Sequence, residues 1–553
     1  MPKRPDATRN RLSRSAEVAA IFVGALALRS LNLAPVPGYD ELYHMLAARS
    51  WALDGTLAIA DGTYRRASLF TIATGMMFSL FGESVTVARV IPIVAGSLLV
   101  ALVFWWTRSV AGRLSAWIAA LLLCFAPDAI SLSRFIRFYS LHALLFFLGA
   151  IGVFALVTRP QHSSRIRFAL MIMSTIAFAL AMHLQSTTLI GLAGLCVWLI
   201  VVAGPNWVRQ IKARPAAPRI ALACAVIALL AFFTAVQTGY LAHQWDRYNR
   251  LPLWNEGTRV AFYHWRFLAK YATLWSLLPV AILVAIARRP QAGFFCATLV
   301  VIGLIALSLG ANRGDRYIFY LTPFIYVLWA IAIAELVPVV RRLSRDVSEQ
   351  FLPSRMRAAA SLWVQWLTLG SMALFLVAGN RAVLDVFRAG PFPRLRGSVD
   401  WPAASVVLRP IIRETEVVVT TNALGAIYYL DRYDFEVSAN HLSEIKGGKE
   451  FSLDHRTGRP VISAPESIDR IVSCYSSGLF VTEKGRWNNE RTGIGRAAAN
   501  QLLVSAEPVA LDPRWLMLAF KWKRATEEPI SPECATIRRL TRNRVAARVG
   551  NFR

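Results

Sequence analysis

The chain has 553 residues, of which 56% are hydrophobic and 17% are charged, and its net charge is +28. In a soluble chain of this length about a quarter of the residues are usually charged. The composition therefore argues against a soluble enzyme and predicts an α-helical polytopic membrane protein. The positive charge does not indicate a nucleic-acid partner, because basic residues collect in the cytoplasmic loops of membrane proteins.

The N-terminal tail, residues 1–16, is basic, and the apolar run after it shows no clear cleavage site. We interpret it as a cytoplasmic tail followed by an uncleaved membrane helix. Ten further apolar segments are near the length that crosses a bilayer. The eleven predicted spans are 17–35, 87–107, 113–131, 139–158, 167–184, 186–204, 219–241, 271–288, 292–311, 317–340 and 360–380.

Basic loops orient these spans. If the N-terminus is cytoplasmic, five loops rich in Arg and Lys fall on the same side, at 107–113, 158–167, 205–219, 287–291 and 341–357. This requires the short apolar stretch 67–81 to lie in the membrane interface as a juxtamembrane helix within the first outer loop, 36–86. We expect a multi-pass protein of the inner or plasma membrane, with the lipid bilayer as a partner.

From residue 388 onward the pattern is that of a soluble α/β domain. The segment EVVVTT (416–421) is typical of a buried strand and the segment NALGAIYYL (422–430) of a helix, and RPVIS, GLFVTE and WLMLAFKW are further strand candidates. An odd number of spans places this domain, 388–553, on the extracytoplasmic (periplasmic) side, after a transmembrane catalytic domain at 17–387. There Cys474 and Cys534 are a candidate disulfide pair, and Asp431 and Asp434 are expected at the surface.

An acidic pair, Asp40 and Glu41, follows the first span. One interpretation is structural, because an acidic residue at the first turn of a helix caps it and complements its dipole. The other is catalytic: a carboxylate at the membrane surface accepts a proton from an acceptor hydroxyl or amine, or binds a divalent metal that neutralises a leaving phosphate. No cofactor is certain, and any metal would be held by this pair.

Arginines cluster on the same predicted outer face. Arg134 and Arg137 are three residues apart, which on a helix gives them one face, and Tyr139 follows. Arg316 and Tyr317 begin another span. Guanidinium groups match phosphate oxygens, so these residues are candidate ligands of a donor phosphate; the alternative is that they anchor helices at the headgroups.

Weaker candidates complete this outer face. Arg65 and Arg66 precede the stretch 67–81 and are further candidate phosphate ligands. His183 and Gln185 interrupt two apolar segments at their outer turn. They are weak candidates for substrate binding, with Tyr139, and a structural role at the helix ends is the competing interpretation.

Four segments together resemble a known family. They are the acidic pair with YHMLAARSWALDGTL (43–57) after it, LFGESVTVARVIPIVAGSLL (80–99), SRFIRFYSLHALLFFL (133–148) and DRYIFYLTPFIYVL (315–328). The layout of residues 15–385 resembles the membrane-embedded GT-C glycosyltransferases of the protein-mannosyltransferase-like group, glycosyltransferase family 39. It is similar in pattern to the lipid A aminoarabinose transferase.

The resemblance implies transfer of a sugar from a polyprenyl-phosphate donor to an acceptor, as yet unknown, on the outer face of the membrane. Asp40 would match the catalytic carboxylate of the family and Glu41 its companion, and Arg316 with Tyr317 would match a pair near the donor phosphate. The chain departs from the pattern at Tyr139, where many members carry Asp.

Two other functions stay open at this stage. A transporter or flippase of lipid-linked sugars is one, although its polar residues would be expected mid-span. A non-catalytic cell-envelope assembly protein on the same scaffold is the other.

Overall fold

The computed structural model describes residues 7–31, 33, 36–213, 262–309, 314–351, 362–364, 366–367, 370–371, 379–381, 399–445, 447–524 and 531–542. The predicted span 219–241 lies outside the described residues, and most of 360–380 does as well. The chain forms two compact units. We call them the helical unit (Met1–Leu31, Pro92–Arg134 and Phe138–Pro393) and the mixed unit (Asn32–Ile91, Phe135–Arg137 and Arg394–Arg553).

The mixed unit therefore contains the segment after the first predicted span together with the C-terminal region. The predicted domain boundary between residues 387 and 388 would place these two parts of the chain in different domains, and this boundary stays a prediction.

Helices dominate the first two thirds of the chain. In order they are α1 (Ala7–Ser30), α2 (Tyr39–Asp54), α3 (Ser68–Phe81), α4 (Val85–Ala88), α5 (Val90–Ala111), α6 (Arg113–Phe125), α7 (Pro127–Arg134), α8 (Tyr139–Thr158), α9 (Ser164–Leu184) and α10 (Thr188–Ala213). Further helices are Phe262–Lys270, Ala272–Ser276, Leu278–Arg288, Pro290–Leu309, Asp315–Ile318 and Thr322–Phe351, with a 3₁₀ turn at Phe319–Leu321.

Several of these helices are long and apolar enough to cross a membrane. Within the described ranges there are five such helices: Val85–Ala111, Tyr139–Thr158, Ser164–Leu184, Pro290–Leu309 and Asp315–Val347. The bent pair α6 and α7 is a sixth candidate. The chain is a multi-pass membrane protein. The total of eleven spans stays a prediction.

Two of the predicted spans are not single continuous helices. The predicted span 113–131 bends by 59° between α6 and α7, because Pro127 forces Ala126 into an extended conformation with ψ 121°. The predicted span 271–288 is interrupted at Leu277, next to Pro279, which occupies the first turn of the following helix. The first span, expected at 17–35, ends earlier, because α1 stops at Ser30.

The mixed unit is built on a seven-stranded sheet with the order β5-β6-β4-β3-β7-β9-β8. Its strands are β3 (Val417–Thr420), β4 (Phe435–Val437), β5 (Ser452–Leu453), β6 (Pro460–Ile462), β7 (Ser477–Glu483), β8 (Glu507–Pro508) and β9 (Met517–Lys523); a separate hairpin contains β1 (Ala58–Ile59) and β2 (Gly62–Thr63). Strands β6, β4, β3 and β7 run parallel. Strand and helix are found where the sequence predicts them at 416–421 and 422–430.

The parallel strands follow the doubly wound pattern. The chain starts at β3, adds β4 and β6 on one side, and then returns to add β7 on the other side of β3. The carboxyl ends of β3 and β7 therefore border a topological switch point, the position at which open α/β sheets leave a crevice. The helix Ala423–Leu430 follows β3 directly and is capped by Asn422, whose side chain accepts a hydrogen bond from Gly425 N.

Backbone pairing joins the hairpin of β1 and β2 to the loop between β5 and β6 within the mixed unit. Asp61 N donates to Thr457 O at 3.0 Å and Thr63 N donates to His455 O at 3.2 Å. The buried guanidinium of Arg459 donates to the Asp61 carboxylate at 2.9 Å. A buried, charge-assisted hydrogen bond of this kind contributes more to stability than an exposed ion pair.

The C-terminal region also contains a disulfide between Cys474 and Cys534. The expectation for Asp434 is wrong, because this residue is buried and its carboxylate accepts a hydrogen bond from Val418 N at 2.8 Å. The acidic side chain satisfies a backbone donor of the central strand β3, which the local sequence pattern does not reveal.

Candidate active site

The site begins at the N-terminus of α2, which Gly38 caps. Glu41 N and Leu42 N donate to Gly38 O, and the carboxylate of Glu41 accepts a hydrogen bond from Gly38 N at 2.7 Å. The third residue of the helix thus reaches back to its cap, as in a capping box. This local arrangement fixes the direction in which Tyr39, Asp40 and Glu41 leave the backbone.

Glu41 points into the protein and is 4% exposed. Its Oε1 atom accepts a hydrogen bond from Ile136 N at 2.8 Å and lies 3.6 Å from the guanidinium of Arg89. Burial raises the pKa of Glu41, and Arg89 and the two backbone donors oppose this shift. The Glu41 carboxylate therefore links three segments: the start of α2, the segment after α7 that contains Ile136, and the segment that contains Arg89.

Asp40 differs from its neighbour because its side chain is 36% exposed. The guanidinium of Arg137 lies 3.8 Å from the Asp40 carboxylate and donates a hydrogen bond to the Asp40 carbonyl at 2.8 Å. Arg137 is buried, so the cation is held in place beneath the start of the helix. Asp40 is thus an accessible carboxylate next to a fixed positive charge, which suits a proton acceptor.

The two arginines of the SRFIRFYS segment have separate roles. The prediction that they share a helix face is wrong, because α7 ends at Arg134 and α8 begins only at Tyr139. Arg134 is buried in the helical unit and donates to Leu31 O at 2.6 Å. Arg137 belongs to the mixed unit. Their role as ligands of a donor phosphate stays a prediction.

His44, on the same helix as Asp40, is not among the residues predicted from the sequence. It is fully buried on α2, with its Nδ1 atom 2.8 Å from the Thr71 hydroxyl. Burial, together with the nearby cations of Arg137 and Arg66, lowers the pKa of His44 well below its usual range. The available signal was its spacing of four residues from Asp40, which gives both side chains one helix face.

Arg65 and Arg66 are exposed immediately before α3. The electrostatic effect of Arg66 on His44 places its charge near α2. These two residues, Asp40, Glu41 and Arg137 all lie in the mixed unit. Arg134, Tyr139, His183, Gln185, Arg316 and Tyr317 lie in the helical unit.

The helical unit holds a pocket with about 570 Å³ of empty space, part of it open to solvent. Its walls are mostly aromatic and aliphatic, and include Phe267, Tyr271, Trp275, Phe319, Tyr326 and Trp329. Such walls accommodate an apolar chain or the face of a ring. Asp128 and Asp315 also line the pocket, and they give it a polar side.

Lys270 joins the two acids of this pocket, with its ammonium group 2.9 Å from Asp128 and 2.5 Å from Asp315. Arg266 adds a two-pronged contact to Asp315, and the Tyr271 hydroxyl donates to Asp128 at 2.9 Å. Local sequence patterns do not reveal the contact of Asp128 with Lys270, because the two residues are 142 positions apart in the chain. The candidate Arg316 is next to this network in sequence, with its guanidinium 5.1 Å from the centre of the Tyr317 ring.

The weaker candidates are helix-end residues. Tyr139 is buried at the start of α8 against the ring of Phe138. His183 is exposed in the last turn of α9, and Gln185 is buried as its C-terminal cap, with its backbone N–H donating to Ala181 O. These positions agree with the structural alternative, and a contact with substrate stays a prediction.

The residues present do not fit a metal centre of the predicted kind. Both oxygens of Glu41 accept backbone hydrogen bonds, and Oε1 lies 3.6 Å from the buried guanidinium of Arg89, so a metal shared with Asp40 would compete with these groups. Among the described parts of the chain, no group of three or more His, Cys, Asp or Glu side chains is arranged to hold a metal ion. We therefore derive no chemical step through a metal.

The fold is similar to that of two solved membrane proteins. One is ArnT from Cupriavidus metallidurans bound to undecaprenyl phosphate, which matches with a TM-score of 0.57 and 15% sequence identity. The match covers 93% of this chain and 98% of that protein. The apo form of ArnT matches with a TM-score of 0.55. The oligosaccharyltransferase AglB from Archaeoglobus fulgidus, in complex with an inhibitory peptide and a dolichol-phosphate, gives 0.53 and 12% identity over 92% of this chain and 74% of that one.

Both solved proteins have the GT-C fold, so the predicted GT-C fold of this chain is confirmed. No family model matches the sequence. No curated protein matches it either.

Proposed function

We propose that this protein transfers a sugar from a polyprenyl-phosphate donor to an acceptor on the outer face of the membrane. The observation that carries the proposal is the pairing of an accessible Asp40 with the buried cation of Arg137, within a chain that has the GT-C fold over nearly its whole length. Undecaprenyl phosphate and dolichol-phosphate, bound by the two solved proteins, support a prenyl carrier as the donor.

Asp40 is the base in this reaction. The acceptor hydroxyl or amine attacks the anomeric carbon, the bond from that carbon to the phosphate oxygen breaks, and the acceptor proton moves to the Asp40 carboxylate. The prenyl phosphate leaves with the electron pair of the broken bond. The anomeric centre is inverted because attack and departure occur on opposite faces.

Arginines stabilise the leaving phosphate. Arg137 holds the carboxylate in place, and Arg65 and Arg66 are exposed cations of the same unit that could meet a phosphate. Fixed cations at a developing negative charge are worth several kcal/mol of barrier. Arg316 and Tyr317 of the helical unit stay predicted ligands of a donor phosphate, and the aromatic pocket of that unit has walls that suit an apolar prenyl chain.

Glu41 supports the base from the interior. Its oxygens bind the helix start and the Ile136 backbone, so it fixes Asp40 without taking part in proton transfer. This assigns the two acids of the pair to different tasks, one structural and one chemical.

The proposal is tested with membrane vesicles from the native host that lack the endogenous gene and contain the wild-type chain. They are incubated with synthetic undecaprenyl-phosphate sugars, each radiolabelled on the sugar. We expect label to leave the prenyl-phosphate pool and to enter a membrane product, with undecaprenyl phosphate released in equal amount. Vesicles without the protein are the control.

Two outcomes contradict the proposal. Label that changes its side of the membrane while still attached to the prenyl phosphate would indicate a flippase. Transfer from nucleotide sugars and from no prenyl-phosphate sugar would indicate a different donor class.

A further inference from the structure

The crevice at the switch point of the C-terminal sheet is filled by the protein itself. The carboxyl ends of β3 and β7 meet here, and their polar side chains bind one another: the Thr421 and Thr482 hydroxyls lie 2.7 Å apart. The Asn422 amide donates to the Glu483 carboxylate, and so does the Trp401 indole at 3.0 Å. Open α/β sheets commonly bind ligands at this position.

Arg486 lies next to these residues, and hydrogen bonds from two of its guanidinium nitrogens orient the group. Its Nε atom donates to Glu483 at 3.1 Å, and its NH1 atom donates to the backbone carbonyls of Thr421 at 2.6 Å and Thr492 at 3.2 Å. A planar guanidinium held at both ends loses little further freedom when it contacts another group. The side chain is therefore a rigid platform at the edge of the sheet.

The group that rests on this platform is Tyr39. The guanidinium of Arg486 lies 5.1 Å from the centre of the Tyr39 ring, a cation–π contact. The ring also contacts Tyr43 edge-on at 5.6 Å and His441 at 6.0 Å. His441 in turn is held by Glu436 of β4, 2.9 Å away. All these residues belong to the mixed unit.

Tyr39 is the first residue of α2 and is adjacent in sequence to Asp40. Because the two residues share a peptide bond, holding the Tyr39 ring fixes the backbone from which the Asp40 side chain extends. Arg137 holds the same turn through the Asp40 carbonyl. The start of α2 is thus held at two points, by Arg137 and by Arg486 of the C-terminal region.

We propose that Arg486 is a positioning residue for sugar transfer: held by Glu483 and the carbonyl of Thr421, it fixes the Tyr39 ring and thereby the orientation of Asp40. The inference rests on the proposed function and deepens it, because it makes the C-terminal sheet a part of the catalytic apparatus. Misplacement of a catalytic group by about 1 Å costs roughly 100-fold in rate.

The kinetic test compares Arg486→Met, Tyr39→Leu and the double variant in the full-length protein, with Arg514→Met as the matched control. Arg514 is in the same sheet domain, and its side chain is exposed. We expect each single variant to lower kcat by about 10- to 100-fold with the donor KM changed less than about twofold. The double variant should lose no more than the single variants, because both break one contact.

A purely structural role gives a different result. It would lower the amount of folded protein or the melting temperature and leave kcat per folded molecule unchanged. Arg486→Lys and Tyr39→Phe are the conservative variants: the first keeps the charge and the second keeps the ring, so kcat should be partly restored in both. Losses of kcat that multiply in the double variant would overturn the inference.

A second readout does not depend on activity. Hydrogen–deuterium exchange of the peptide that covers residues 36–46 should become about tenfold faster in Arg486→Met and should not change in Arg514→Met. Unchanged exchange in Arg486→Met refutes the anchoring of α2. If the wild type transfers no sugar from any prenyl-phosphate donor, the proposed function fails, and the exchange measurement still decides whether Arg486 holds the helix.

Discussion

Replacing Glu41 by alanine should destabilise the protein strongly, and replacing its neighbour Asp40 by asparagine should not. The Glu41 carboxylate accepts hydrogen bonds from Gly38 N and Ile136 N and lies 3.6 Å from Arg89, all at a position that is 4% exposed. Alanine leaves two backbone donors and one guanidinium without this acceptor. Asp40→Asn removes a half-exposed charge whose cationic neighbour is 3.8 Å away.

The magnitudes follow from burial. Removing one partner of a buried ion pair costs about 3–5 kcal/mol of the free energy of unfolding. Glu41→Gln keeps an acceptor oxygen and the side-chain shape, so its cost is about 1–2 kcal/mol. Asp40→Asn should cost less than about 1 kcal/mol, because solvent screens the pair and the carboxylate is accessible. The expected order of stability is wild type and Asp40→Asn, then Glu41→Gln, then Glu41→Ala.

The assay is unfolding of the purified full chain in one detergent, followed by tryptophan fluorescence against urea. A double variant, Glu41→Ala with Arg89→Met, separates the buried charge from the backbone donors. It should be less destabilised than the sum of its single variants, because Arg89 no longer remains unpaired. Wild-type stability in Glu41→Ala, or an equal loss in Asp40→Asn, would refute the structural assignment of Glu41.

Three further expectations concern stability. The pKa of His44 in the folded protein lies below its value in the unfolded chain, so the stability that His44 contributes is present above pH about 6.5 and is lost as the pH falls. His44→Gln should therefore flatten the dependence of the melting temperature on pH between 7 and 5. An unchanged slope would contradict this. Replacing Cys474 and Cys534 by serine opens a link across 60 residues and should cost about 4 kcal/mol by loop entropy; a melting temperature insensitive to reductant would refute it. Arg459→Met should lower the melting temperature through the lost Asp61 contact by more than the exposed control Arg514→Met does, and equal shifts would contradict a structural role for that contact.

Local patterns were enough to predict much of this fold. Apolar segment lengths indicate the membrane helices, short continuous apolar runs indicate the buried strands β3 and β7, and the four quoted segments indicate the GT-C fold. The predictions failed where a single residue changes the backbone. Pro127 turns one expected span into a bent pair, since helical geometry is disfavoured for the residue before proline and Ala126 is extended here.

The site was only partly predictable, because its contacts join residues far apart in the chain. Asp40 stands out in sequence as an acid after a membrane helix. The sequence does not show that Glu41 points inward to Ile136, 95 residues away, or that Arg486 reaches Tyr39. Nor does it reveal the buried Asp434, whose partner is a backbone N–H of β3. Such pairings depend on how the sheet and the first outer loop meet, which periodicity does not encode.

The central claim is that Asp40 is the base in sugar transfer from a prenyl-phosphate donor. The measurement is the initial rate at which label leaves a radiolabelled undecaprenyl-phosphate sugar in vesicles that contain equal amounts of folded wild type, Asp40→Asn or Asp54→Asn. Asp54 is at the other end of α2 and serves as the matched control. The account predicts a fall of about 10²- to 10⁴-fold for Asp40→Asn and a rate near that of the wild type for Asp54→Asn. Transfer by Asp40→Asn within about twofold of the wild type would contradict it.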